Sequence, residues 1–454
     1  MASAGRPRRR TPDPARRAAF DALRAVHADG AYANLVLPPL LTQRKITGRD
    51  AAFATELVAG TCRLERTYDL VLVAASGRPL GSLQPAVVDV LRLGCHQLLS
   101  MRVPTHAAVA ATVDLAAGAV GERVAGLVNA VLRKVAARTW AEWIEDLTDG
   151  LDQADALTIS TAHPAWIVQA YADLLPAEEV EPALLANNVS APVSLAVRPG
   201  LATVAELHVA GADPGIWSPY AARWSGNPSD LTTVRTGAVG VQDEGSQLAA
   251  WGVSRAPIES TTGWWLDLCA GPGGKAALLA GLARHASAGL VAVELAPHRA
   301  RLVAQGLRAY DSTPIVLVAD GTRPGWRPGT FDRVLADVPC TGLGALRRRP
   351  ESRWRRTSAD ADELHALQVA LLASAVDAAA PGGVVGYVTC SPHRRETTDV
   401  VAEVLAGRDD VEVVSAPVVL PELPADAFIG DFLQLWPHRH RTDAMFAAYL
   451  KRFR

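Results

Sequence analysis

Two cysteines of this chain lie where a thiol could react. Cys340 closes AspValProCys at 337–340, and Cys390 is the centre of ThrCysSer at 389–391. Each motif follows an apolar run, PheAspArgValLeuAla for the first and ValValGlyTyrVal for the second, so both sulfurs are expected in loops at the ends of buried strands. Without C-x-x-C spacing, the pair points to covalent catalysis or to plain packing and not to zinc. A free thiol of pKa about 8.5 is mostly protonated at neutral pH, so a working one needs help from its surroundings. One reaction with a place for both thiols is methylation of carbon 5 of a pyrimidine, a carbon too electron-poor to attack a methyl donor unaided. A thiolate added at carbon 6 makes carbon 5 nucleophilic. After transfer, the carbon 5 proton must leave and the thiolate must be expelled. Asp337, three residues before Cys340, could hydrogen-bond the base edge and stabilise the protonated ring nitrogen. His393, three residues after Cys390, reads as a loop histidine more readily than as a group that lowers the thiol's pKa.

A donor needs a site, and the stretch Trp264–Ala283 supplies the candidate. An apolar run is followed by Cys269, Ala270, Gly271, Pro272, Gly273, Gly274 and Lys275 and then by helix-forming residues, which reads as strand, glycine-rich turn and helix. Glycines admit a ligand close to the backbone, and the helix behind them offers free amides and a positive dipole end. A phosphate-binding P-loop is excluded, because Cys269 stands where its first glycine should be and Ala276 follows Lys275. The dinucleotide pattern is met only in an alanine-ended form, Gly271 to Ala276. A cradle for an adenosine cofactor remains, with Glu294 ending the next strand about 20 residues on, where a carboxylate can accept from ribose hydroxyls. S-adenosyl-L-methionine fits the methylation chemistry best. For Cys269 the ordinary explanation is preferred: a strand-end thiol that lines the loop without reacting.

The elements that must position these groups alternate regularly. Strands are expected to Glu294 and over 315–319, 333–336 and 384–389, with helices over 297–309, 360–379 and 394–406 between and after them. Such alternation implies an α/β fold, a parallel sheet with helices on both faces, whose ligands sit at the carboxyl ends of the strands. Glu294, Asp320, Asp337, Cys340 and Cys390 all fall at such ends. A single acid after a strand is usually a helix cap or a solvated residue, but five polar or reactive groups at successive strand ends are hard to explain as scatter.

The chain of 454 residues has room for two or three domains. Its formal charge of −2 makes no global case for nucleic acid, and only four of its 45 basic residues are lysines, so an arginine by itself says little. Residues 1–12 read as a disordered basic tail, either a solvated terminus or an RNA-touching arm. No apolar signal core follows it and no apolar run approaches a membrane span, so a cytoplasmic protein without membrane contact is expected. Residues 13–140 read as all helical, 141–238 as a linker and small α+β domain, and 239–454 as the Rossmann-like catalytic domain. Beside the ProCys loop, ArgArgArgProGluSerArgTrpArgArg at 347–356 places six arginines around Trp354. A solvated charged loop competes in so arginine-rich a chain, but the place beside the presumed target base favours RNA: Arg347, Arg348, Arg349, Arg353 and Trp354 are expected to touch it, since guanidinium groups bind phosphates and an aromatic holds an unstacked base.

With DLCAGPGGK, VAVELAPHRARL, VLVADGT, FDRVLADVPCTGLGALRRRPESRW and GYVTCSPHRRET in order, the chain resembles the Sun (Fmu) family of RNA 5-methylcytosine methyltransferases. The helical region, with RDAAFATELVAGTCR and LVNAVLRKV, resembles the NusB antitermination protein and the NusB-like domain fused to some RNA methyltransferases. This resemblance implies S-adenosyl-L-methionine as cofactor, small-subunit (16S) ribosomal RNA as partner with neither DNA nor a metal, RNA contact by the NusB-like domain, and a monomer. It implies that Cys269 to Lys275 form the cofactor loop, that Glu294 holds the ribose, that Asp320 lies near the adenine and that Asp337 sits between cofactor and cytosine. Cys390 matches the attacking cysteine and Cys340 the one that assists release. Gly271 stands for a more usual alanine, Glu294 for an aspartate and Thr397 for an asparagine. Two other readings stay open at this point. One is a non-catalytic RNA-binding assembly or antitermination factor; the other is a DNA cytosine methyltransferase, in which the ProCys thiol would attack.

Overall fold

The computed structural model describes residues 12–310 and 314–453. The expected basic tail therefore lies almost wholly outside the described residues. The chain divides into two compact units, each built from more than one stretch of sequence: Met1–Ala172, Pro176–Asn188 and Arg348–Arg355 in one, Asp173–Leu175, Val189–Arg347 and Arg356–Arg454 in the other.

The described part of the first unit is helical. Asp13 accepts from the Arg16 amide and Pro14 opens Pro14–Ala28, whose Phe20, Leu23 and Val26 enter the core. Helices Gly48–Arg63, Glu65–Ser76, Pro85–Leu99, Thr105–Ala119 and Glu122–Val135 follow, in line with the all-helical reading of residues 13–140. The pattern gave no sign of Ala33–Gln43, because Pro38 and Pro39 lie inside it and read as a break. The boundary expected at 140 falls within this unit. Trp140–Thr148, Gln153–Ser160, Ala165–Ala172 and Ala177–Ala186 are further helices, and the first buries Trp143, whose indole N–H reaches the Val135 carbonyl.

The second unit holds two sheets. A small antiparallel one runs Asp213–Pro214, Ala221–Trp224, Val193–Val197, Val239–Val241. The larger sheet has five parallel strands in the order Ala379–Thr389, Phe331–Asp337, Trp264–Asp267, Gly289–Glu294, Ile315–Val318. Helices Gly274–His285, Pro297–Leu307, Ser358–Ala378 and Thr398–Ala406 connect and flank them. The sheet is not purely parallel as expected. Phe446–Arg452 pairs antiparallel with Ala379–Thr389, and Phe432–Gln434, Phe428–Ile429 and Val411–Val414 extend that side. Asp243 caps Glu244–Arg255 through the Gly245 amide.

Candidate active site

The carboxyl ends of the parallel strands carry the candidate groups. Asp267 ends the central strand, and the turn after it is tied down when the Ala270 amide donates to Val293 O and the Gly273 amide to Ala270 O. Gly273, at φ +98°, precedes Gly274–His285, and a Cβ there would stand 3.0 Å from Val303 Cα. Only glycine lets this turn pass so close to the next helix. No side chain caps the helix, so its first amides face the strand ends unclaimed by the protein's own side chains.

Cys340 and Cys390 meet. Their Sγ atoms are 3.4 Å apart, although 50 residues separate them in sequence. Two backbone links hold the loops together: the Gly344 amide donates to Cys390 O, and the Ala444 amide donates to Gly344 O. A side chain at Gly344 would overlap the Ala444 carbonyl and press on Cys390 O, so the approach requires glycine.

The charges around the sulfurs differ. Lys275 is 2.8 Å from Asp337. Burial opposes its positive charge, yet Asp337 outweighs burial and raises the ammonium's pKa above its usual range, so it stays charged. The Cys390 thiol is lowered, first by the hydrogen bond from Cys340, against burial and Asp337, with Lys275 helping. The Cys340 thiol is raised well above its ordinary range by that same bond, by burial and by the negative charges of Cys390, Glu396 and Asp337. Of the two touching thiols, Cys390 therefore gives up its proton more readily than Cys340. His393 turns its Nδ1 to the Arg395 amide, from which it accepts at 3.1 Å. Burial, then Asp267 and Asp337, push the Cys269 thiol far up, which keeps it neutral.

The acids have distinct settings. Glu294 is buried; one oxygen accepts from the Ala296 amide at 3.0 Å, and the other is 3.6 Å from Arg299 Nη2. Asp320 turns one oxygen to the amide and hydroxyl of Thr322. Asp267, passed over in the sequence, is fully buried with neither carboxyl oxygen hydrogen-bonded, and burial and the neighbouring Asp337 push it up to about 8. An orphaned carboxyl beside Asp337 and Glu294 suits a cationic ligand, and S-adenosyl-L-methionine carries a sulfonium and an ammonium. The residues fit that cofactor. Sequence offered one signal for Asp267, its place as the polar end of TrpTrpLeuAsp. Glu396 was missed for a different reason: it lay in what read as the first turn of a helix, where an acid is ordinarily explained by the helix dipole.

The expected RNA contacts need correction. Arg347 is buried in the second unit, 3.0 Å from Asp443 and bonded to Arg441 O. Arg353 is fully buried in the first unit, donating to Ala162 O, Asn188 Oδ1 and Asn187 O. The Trp354 indole N–H donates to Cys62 O. Arg353 has no exposed surface and Arg347 very little, and both spend donors on acceptors of the protein itself, so the two serve structure, and Trp354 has its polar edge occupied. Arg349 is exposed and stacks over the Tyr32 ring at 5.4 Å, and Arg348 is half-buried.

Residues 256–451 match the 16S rRNA methyltransferase RsmB/F family, and residues 13–137 match the NusB family. The ribosomal RNA small subunit methyltransferase B of Vibrio cholerae is 32% identical over 419 residues, 89% of this chain and 92% of that one. The chain belongs to the RsmB/F family. It is an S-adenosyl-L-methionine-dependent rRNA methyltransferase of the cytosine-5 type with an N-terminal NusB-like domain. Rv1407 of Mycobacterium tuberculosis, whose name assigns it to the methyltransferases without a substrate, is 50% identical over 453 residues, 98% of each chain. The crystal structure of PH0851 shares the fold at 21% identity, with TM-score 0.78 over 97% of this chain and 99% of that one. Among the described residues, no helix is long and apolar enough to cross a membrane.

Proposed function

We propose that this RsmB/F-family chain methylates carbon 5 of a cytosine in 16S ribosomal RNA through a covalent cysteine adduct. The observation that carries the reading is the contact of two sulfurs, 3.4 Å apart, beside the Lys275–Asp337 pair. S-adenosyl-L-methionine, held by the turn Cys269–Lys275 with Glu294, Asp267 and Asp320, supplies an electrophilic methyl group. The cytosine leaves its stack to reach the sulfurs. Cys390, the thiol that ionises more readily, adds as a thiolate to carbon 6, and Asp337 accepts from the cytosine edge and stabilises the protonated ring nitrogen. Once Cys390 is bonded to carbon, its negative charge is gone, and so is the chief influence keeping the proton on Cys340. Cys340 can then give its proton to solvent and take the carbon 5 proton after methyl transfer; the electron pair left behind restores the 5,6 double bond and expels Cys390 as a thiolate. Arg348 and Arg349 remain as candidate RNA contacts. We also read the protein as a cytoplasmic monomer that does not act on DNA.

Cys390→Ala should abolish methyl transfer to 16S RNA while cofactor binding persists, and Cys340→Ala should accumulate a protein–RNA adduct that survives denaturing electrophoresis. Full turnover by the Cys390 variant would refute the assignment. Bisulfite sequencing of ribosomal RNA from a deletion strain identifies the cytosine.

A further inference from the structure

Glu396 is a buried carboxylate with no exposed surface, and no arginine or lysine pairs with it among the described residues. Its charge is met by hydrogen bonds alone. Oε1 accepts from the Thr341 amide at 2.7 Å and from Gln368 Nε2 at 3.2 Å. Oε2 accepts from the Ser391 hydroxyl at 2.6 Å and from the Thr341 hydroxyl. Thr341 is the residue after Cys340, and Ser391 is the residue after Cys390. Gln368 extends the tie by donating to Pro339 O at 2.8 Å, on the other side of Cys340. The Tyr387 hydroxyl in turn donates to Glu396 O, fixing the turn that carries the carboxylate to the strand leading into Cys390.

We propose that Glu396 is the positioning residue of the two-cysteine reaction: its carboxylate binds the loop of Cys340 to the loop of Cys390 and so holds the sulfurs at contact distance. The inference rests on the covalent reading above and deepens it. A carboxylate in this place does more than a neutral linker of similar length. It offers acceptors to four donors at once, and its charge lies on the Cys340 side, where it opposes ionisation of that thiol and leaves Cys390 the nucleophile. Neither sulfur touches Glu396, so its effect on the reaction passes through the loops and through the field.

Phenylarsine oxide reports the geometry without any methyl transfer: arsenic forms bonds to two close sulfurs, and its oxygen leaves as water with the two thiol protons. In the full-length protein, Glu396→Ala should lose the bridge between Cys340 and Cys390. It should also lower kcat for 16S RNA about a hundredfold, the usual effect of misplacing a reacting group by an ångström, with KM for RNA and cofactor affinity unchanged. Glu396→Gln should restore the bridge, since an amide can accept from the Thr341 amide and donate to the two hydroxyls. Should Glu396→Ala fail to fold, Thr341→Val removes one donor and keeps the carboxylate, and a smaller loss of the same kind is expected. An arsenical bridge and kcat unchanged in Glu396→Ala, or in Thr341→Val if that is the variant that folds, would overturn the proposal, as would Glu396→Gln impaired as fully as Glu396→Ala. A wild-type protein that forms the bridge but transfers no methyl group would sink the covalent reading instead, and the bridge would still decide the role of Glu396.

Discussion

The two sulfurs look equivalent in sequence, and their surroundings make them different. Asp337 acts on both, but Cys390 also has the ammonium of Lys275 nearby, while Cys340 faces the further negative charge of Glu396. Because the Cys390 pKa is lowered, its alkylation by iodoacetamide should already be fast below the pH at which an ordinary thiol ionises. Cys340→Ala removes the hydrogen-bond partner that lowers the Cys390 pKa, so the alkylation curve should move to higher pH; a curve that stays in place would contradict that cause. Asp267 leads to a second titration. With its pKa near 8, it is protonated at neutral pH, and a cationic cofactor would favour the ionised form, so binding should release a proton and affinity should rise as pH approaches 8. Calorimetry in buffers of different ionisation heat measures that proton, and Asp267→Asn should remove it. The cysteines, Asp337 and the glycine turn were legible because their motifs stand at strand ends. Arg347 and Arg353 were misread because sequence shows their charge but not their burial.

At the scale of elements, the parallel strands and their helices could be read from alternation, since each is a short apolar run with a helix to follow. The antiparallel strands near the carboxyl terminus could not, because Phe428–Ile429 and Phe432–Gln434 are too short to show a period. Yet Phe446–Arg452 leads in from the residue whose amide holds Gly344 against Cys390 O, so the unread hairpin helps to fix the reactive loop. Gly344→Val should therefore cost activity and on the order of 1–3 kcal/mol of stability, as overpacking does, seen as a lower melting temperature. In the helical unit, His27 lies 2.7 Å from Asp89 and 3.1 Å from Glu65, with Arg92 3.4 Å away. Burial would lower its pKa, but the two carboxylates raise it to about 9. A raised histidine stabilises fully below its unfolded pKa near 6.5, and the effect fades as pH rises through 9. The unit should thus lose on the order of 3 kcal/mol between those limits, and His27→Gln should flatten the dependence. Urea melts across that range would show it.

At the scale of the whole molecule, the helical unit is not a bead at the amino terminus, because Arg348–Arg355 belongs to it. Composition revealed the helical and α/β regions but could not show this return, which depends on which partners Arg353 and Trp354 find in three dimensions. Arg353→Ala would leave Ala162 O, Asn187 O and Asn188 Oδ1 without their donor, at about 1–3 kcal/mol for each buried group left unpaired. The melting temperature of the helical unit should fall, and restored stability in Arg353→Lys would mean that charge alone suffices. The same insertion sets an order on biosynthesis. Roughly 160 residues separate Asn188 from Arg348, which a ribosome moving at about 5–20 residues per second needs on the order of ten to thirty seconds to add. For that interval the nascent helices wait with the carbonyls at 162 and 187 unmet, so the amino-terminal unit reaches its final form only after four of the five parallel strands have been made.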